Sequence, residues 1–191
     1  MFCFRNQFIQ LNESQLILTA YYDDCVEEIN LPHPPKPAQP AQPAQQQAHH
    51  DYAGKCGNSG DTYTGYRLDI RMDKPIGITY DGWQAVYVNM FYRNRIIRIG
   101  VNDGMATVSP WMSHTMRNLA YDMFGGDLLA TLHHGGVAKL VYVNPQLQQQ
   151  ICITKEDYFE SLGNTSFGSP TMGLVQLDET SWIIGDYNNN R

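Results

Sequence analysis

The amino-acid sequence predicts an all-β protein made of small, repeated antiparallel sheets, and three observations predict it. Residues 74–100, KPIGITYDGWQAVYVNMFYRNRIIRIG, read as a three-stranded meander. Its pattern returns twice further along, around Asn118 and Gly173. The composition is that of a turn-rich β domain, with 42% hydrophobic, 12% aromatic and only 17% charged residues, where soluble domains carry about 25% charge.

Taken in order, the chain opens with MFCFRNQFIQLNESQLILTAYY. Arg5, Asn6 and Gln7 interrupt the apolar start before it reaches the length of a signal-peptide core. No stretch is long and apolar enough for a membrane-spanning helix. QLILTAYY, from Gln15 to Tyr22, reads as a strand, and the acidic patch Asp23, Asp24, Glu27 and Glu28 follows it. Residues 1–31 are therefore expected as a short N-terminal segment. Residues 32–50 bring proline every few positions with alanine and glutamine between, including a PAQ-PAQ repeat. Such a tract cannot pack a core and predicts an extended, solvent-exposed linker.

The repeats occupy residues 51–191. In the first, Pro75-Ile76-Gly77 makes a corner, because proline fixes φ and glycine permits close approach. Ile78–Tyr80 is a strand, Asp81-Gly82 is a strong hairpin signal, Ala85–Val88 returns, and Tyr92-Arg93-Asn94 turns into a third strand, Arg95–Ile99. A lone meander leaves one face wet and is marginal by itself, so a neighbour is required. The second copy, from Asn118 to Val143, has Asp122, a Gly125-Gly126 turn and a Gly135-Gly136 turn in the same order. The third runs from Met172 to Arg191, which matches Arg95, so the chain reads as a fragment cut in mid-repeat.

These motifs resemble the NHL repeat, the blade unit of a family of β-propellers. The resemblance rests on Ala53-Gly54, Gly60-Asp61, Gly65, Pro75-x-Gly77, Asp81-Gly82, Tyr87-Val88 and Asn94-Arg95-Ile96-Ile97-Arg98. The middle copy keeps Tyr121-Asp122 and the hydrophobic pattern, and the third keeps Gly173, Trp182 to Ile184, Asp186 and Asn190-Arg191. It implies an incomplete NHL-type propeller of about three blades, starting near residues 75, 118 and 173. The repeat also occurs in an amidating lyase whose metal is held by histidines at the propeller centre. No position here matches a motif that would carry those ligands over.

The residues that bear chemistry are few. None of the four cysteines, Cys3, Cys25, Cys56 and Cys152, stands in a C-x-x-C pair, which removes zinc-finger and thioredoxin-like readings. In a secreted chain Cys56 could join Cys152, or Cys3 could join Cys25; otherwise all four are thiols. Asn12-Glu13-Ser14 and Asn164-Thr165-Ser166 are glycosylation sequons, compatible with secretion. The six histidines are His33, His49, His50, His114, His133 and His134. Adjacent histidines on a strand point to opposite faces, so the two pairs read as surface residues and no metal site is assigned. Asp81, Asp122 and Asp178 are explained by turn geometry. No catalytic residue or cofactor site is assigned, since nucleophile-elbow, zinc-protease and phosphate-loop motifs are all missing. A net charge of −6 argues against a nucleic-acid partner, and Arg93, Arg95 and Arg98 read as a solvated strand face. The tyrosines fall mostly at strand and turn positions, with Trp83 and Trp111 placed beside turns as candidates for a binding face.

The function expected is that of a non-enzymatic, secreted interaction or extracellular-matrix protein, such as a shell matrix protein. Its propeller loops would face other proteins, glycans or a mineral surface. A metal-dependent propeller lyase or hydrolase and an intracellular NHL scaffold are the other two expectations.

Overall fold

The structure is a computed structural model. It describes residues 5–31, 49–109, 111–112, 115–133, 137–143, 146–153 and 171–186. These residues form four antiparallel sheets and no α-helix, so no helix among them is long and apolar enough to cross a membrane.

The first sheet is β1 (Arg5–Asn12), β2 (Gln15–Ala20), β3 (Cys25–Asn30) and β4 (His49–Ala53), side by side in that order. The second contains β6 (Pro75–Tyr80), β7 (Ala85–Met90), β8 (Arg95–Gly100) and β9 (Met105–Val108), edged by the two-residue β5 (Gly65–Tyr66). The third is β10 (Met116–Tyr121), β11 (Leu128–Leu132), β12 (Val137–Val143) and β13 (Gln146–Ile153). The fourth is the hairpin of β14 (Thr171–Gln176) and β15 (Trp182–Asp186). The leading strands β1, β6, β10 and β14 adjoin one another in sequence, which is the blade arrangement of a propeller.

Leading strands β6, β10 and β14 lie where the repeats near residues 75, 118 and 173 were expected, the last in a two-stranded hairpin, and the expected N-terminal segment is corrected. Residues 5–31 are three strands of a further blade, and His49–Ala53 is its outer strand, paired with β3 through Val26↔Ala53 and Ile29↔His49. The expected boundary at residue 50 therefore cuts a sheet, and His49 and His50 belong to a strand. Residues 32–48, with His33, lie outside the described residues, as do Cys3, His114, His134 and Asn164.

The cysteine pairing is corrected too. Cys25 and Cys56 form a disulfide, with their Cα atoms 4.9 Å apart. Either expected pairing would have taken one of these two residues. The reason is geometric: Cys25 opens β3 and Cys56 follows β4, its neighbour in the sheet, so pairing brings them within disulfide reach.

Each junction between sheets has its own apolar core. Ile17, Val26 and Tyr52 of the first sheet meet Ile78, Val86, Val88, Ile97 and Ile99 of the second. Ala85, Tyr87 and Ile96 of the second meet Met116, Leu119, Leu128 and Leu132 of the third. Ala120 and Leu129 meet Leu174, with Trp182 and Ile184 against them. Alternate side chains of β7 thus enter different cores, so the whole strand AVYVNM is buried although strands alternate faces.

The sheets are also joined by a polar device that recurs. Each leading strand carries a register shift near its start, between Arg5 and Phe8, Pro75 and Gly77, Met116 and Leu119, and Met172 and Leu174. In the first three sheets the backbone N–H freed there donates to a polar side chain of the neighbouring strand. Gln7 N–H donates to Thr19 Oγ1 (3.3 Å), Gly77 N–H to Asn89 Oδ1 (2.7 Å) and Asn118 N–H to Thr131 Oγ1 (3.1 Å). Two of these side chains reach on to the following sheet: the Thr19 hydroxyl donates to the Ile76 carbonyl (3.0 Å), and Asn89 Nδ2 donates to the Met116 carbonyl (2.9 Å). Thr19, Asn89 and Thr131 are fully buried, where an unmade hydrogen bond is expensive. Gln7 goes further, accepting from Ile78 N–H at 2.9 Å and donating to the Leu119 carbonyl at 3.0 Å, so it ties three leading strands together.

Asn89→Leu is expected to keep the volume while leaving Gly77 N–H and the Met116 carbonyl unpaired. A loss of about 2–3 kcal/mol in denaturant unfolding is expected. A change below 0.5 kcal/mol would show that the device holds nothing.

Candidate functional site: the aromatic end

The antiparallel order fixes which loops share an end. The β1–β2, β6–β7, β10–β11 and β14–β15 hairpins lie at one end, here the hairpin end. The starts of the leading strands lie at the other, with the turns that follow β2, β7 and β11.

At the hairpin end a single side-chain geometry repeats. Asp81 Oδ1 accepts from the backbone N–H of Trp83, Gln84 and Ala85 at 3.0, 2.8 and 3.0 Å. Asp122 Oδ1 accepts from Phe124 N–H at 3.0 Å and Asp178 Oδ1 from Thr180 N–H at 2.9 Å. Backbone and hydroxyl donors at residues 180 and 181 hold the Asp178 carboxyl below its ordinary range. These are the turn roles expected for the three aspartates, and Asn12 fills the same position in the first sheet, accepting from Ser14 N–H at 3.0 Å. Trp83 lies here, widely exposed.

The opposite end gathers aromatic and cationic side chains from three sheets. Tyr21 and Tyr22 follow β2, and Phe91 and Tyr92 lie in a one-turn 3-10 helix after β7. His133 follows β11, while Lys74 and Arg117 sit where β6 and β10 begin. Phe91 is the hub. Its ring meets those of Tyr21, Tyr92 and His133 edge-on at 6.3, 4.9 and 5.2 Å between centroids, a favoured aromatic geometry. The Arg117 guanidinium lies 5.4 Å from the Phe91 centroid and donates through Nε to His133 Nδ1 at 3.0 Å. Burial pulls Arg117 below its ordinary pKa. Burial first, and then the hydrogen bond shared with Tyr92, push the Tyr21 phenol well above its usual value, so it stays protonated.

Lys74 is held in an unusual backbone state. Its φ is +53° although it precedes proline, where an extended conformation is normal. Asp24 Oδ1 accepts both its N–H (2.9 Å) and its ammonium (3.1 Å), and that ammonium lies 5.6 and 5.9 Å from the Tyr21 and Tyr22 centroids. Strain of this kind persists where the surroundings over-determine it, and it collects at functional sites.

Beside the hub, Arg95 lies 5.4 Å from the Trp111 ring, whose neighbour Met112 is fixed by a 2.8 Å bond from its N–H to the Asn94 carbonyl. Arg93 donates to Asp73 at 2.8 Å. The three arginines read as a plain solvated face are thus engaged in part: Arg93 in an ion pair and Arg95 over an indole. Tyr22, Tyr92 and Trp111 are 58%, 61% and 59% exposed. Of the two tryptophans named from sequence, only Trp111 belongs to this end. The convergence of Tyr21, Tyr22, Phe91 and His133 was not read from the sequence. Turns rich in aromatics at successive repeats were the available signal.

Among the described residues, the three ligand-type side chains gathered together are Cys25, Glu27 and Cys56. Two of the three are joined as a disulfide, so they do not make a thiolate metal site.

No family model matches the chain, and no curated protein does either. Solved structures do. Selenomethionine-substituted virginiamycin B lyase from Staphylococcus aureus matches with a TM-score of 0.51 and 14% identity, over 82% of this chain and 43% of that one. A streptogramin B lyase structure matches at 0.48 and 9% identity, over 96% and 62%. The PQQ-bound aldose sugar dehydrogenase of Streptomyces coelicolor matches at 0.36 and 14% identity, over 50% and 32%. The chain spans less than two thirds of the length of each. At such identity the first likeness speaks for architecture alone, and with the sheet order above it establishes an incomplete β-propeller.

Proposed function

We propose that this chain is a non-enzymatic interaction protein of an oxidising, extracellular setting, built of NHL-type blades, whose aromatic end docks a matrix protein. The observation that carries the reading is the set of exposed rings at one end, Tyr22, Tyr92 packed on Phe91, and Trp111 beneath Arg95, with Arg93 near them in the chain. Tyr, Trp and Arg are the residues that dominate protein–protein binding energy, and rings held by packed neighbours lose little freedom on docking. The Cys25–Cys56 disulfide supports the compartment, because such bonds persist outside the reducing cytosol. It also weighs against an intracellular scaffold. The likeness to a lyase is one of fold and brings no catalytic residue to this chain.

The test is a panel of immobilised extracellular-matrix proteins and glycans probed with the folded chain. A protein partner is expected, and Tyr92→Ala with Trp111→Ala should weaken it by about 30-fold or more, near 2 kcal/mol for a hot-spot ring. Trp83→Ala, at the hairpin end, should leave binding unchanged. Loss with Trp83→Ala instead, or retention of the sugars alone, would overturn the protein-docking assignment.

A further inference from the structure

The four hairpin-end turns use one device, yet the first differs from the rest in a single atom type. Asp81, Asp122 and Asp178 offer carboxylate oxygens, which only accept. Asn12 supplies the same accepting oxygen and adds an NH2 group that the turn does not need. Its Oδ1 takes both the N–H of Ser14 (3.0 Å) and the hydroxyl of Ser14 (3.1 Å). Its Nδ2 is directed away from these bonds to the Gln15 side chain at 2.9 Å, and both contacts lie at the exposed surface.

We infer that Asn12 is an N-glycosylation acceptor, placing an oligosaccharide on the hairpin end of the first sheet. Asn12-Glu13-Ser14 supplies the acceptor triplet. The turn orients it: the oxygen is committed to Ser14, while the nitrogen meets only the half-buried Gln15, whose side chain can rotate aside to break a bond that lies at the surface. In the transfer, Nδ2 forms a bond to the anomeric carbon of the first sugar of a lipid-pyrophosphate-linked oligosaccharide. The bond from that carbon to the phosphate breaks, the pyrophosphate leaves with the electron pair, and one amide proton passes to a base of the transferring enzyme. No oxidant or reductant is involved. The glycan would stand at the opposite end from Tyr92 and Trp111, leaving the aromatic end open. The inference rests on the proposed extracellular setting.

The experiment routes the full chain into the secretory lumen of a eukaryotic cell behind a cleavable leader and maps peptides from the lumenal protein. The peptide holding residue 12 is expected to carry a glycan that an N-glycan amidase removes, leaving aspartate there. Asn12→Asp should abolish occupancy while leaving the melting temperature within 2 °C, because the other three turns already use aspartate. Ser14→Ala should also abolish it. A residue 12 peptide found wholly unmodified in lumenal protein would overturn the inference. The Cys25–Cys56 bond is read in the same digest, so its failure to form would count against the proposed compartment and not against the acceptor.

Discussion

Gly77→Val is expected to cost about 3–5 kcal/mol, or to prevent folding, and it should be the most damaging single change in the second sheet. The cause is close approach and not backbone sign, since Gly77 is not among the residues with positive φ. A Cβ placed there would meet Asn89 Oδ1, the Arg117 carbonyl at 2.5 Å and Asn118 Cα at 3.0 Å. Two of these are backbone atoms of the next blade and cannot rotate away. Moving Asn89 would strip the Gly77 N–H and Met116 carbonyl of their partner, both of them buried bonds. Gly57→Ala is the control. Its φ is +78° with nothing within 4 Å of the new methyl, so only the strain of about 1 kcal/mol is expected. Equal losses for the two variants in denaturant unfolding would show that the blades do not approach so closely at Gly77.

The second large effect is that of the disulfide. Cys25 and Cys56 are 31 residues apart, and a loop of that size gives about 3.5–4 kcal/mol of stabilisation by restricting the unfolded chain. Replacing both by alanine should lower the melting temperature by roughly 10 °C, at 2–4 °C per kcal/mol for a chain of this length. A change below about 3 °C would mean that the bond is not the one described.

Much of the architecture was legible because the signals were local. Asp81-Gly82 marks a hairpin whatever surrounds it, and Asp81 does fold that turn with three backbone bonds. Pro75 and Gly77 mark the start of a leading strand that packs tightly on its neighbour. The first blade is hidden in the sequence because its fourth strand follows a low-complexity tract, and tract composition says nothing of which strand the chain rejoins. The pairing of Glu27 with Asp51 and Glu28 with His50 is polar, so no hydrophobic pattern announced it. The Cys25–Cys56 bond is hidden for the same reason, since the β3–β4 pairing is what brings the two residues together.

The junction device had a signal that went unread. In QLILTA, AVYVNM and LLATL a polar residue follows a run of apolar and aromatic ones near the end of the strand, at Thr19, Asn89 and Thr131. A buried polar group in such a run needs a partner, and its recurrence points to a backbone irregularity opposite. The aromatic end was not legible in that way. Tyr21, Phe91 and His133 are far apart along the chain, and only the common direction of the strands brings them to one place.

The claim on which all of this depends is that residues on both sides of the proline-rich tract belong to one blade. Non-reducing digestion and peptide mapping of the folded chain tests it directly. A single linked peptide pair joining Cys25 to Cys56 is expected. A pair joining Cys56 to Cys152, or Cys3 to Cys25, would contradict it.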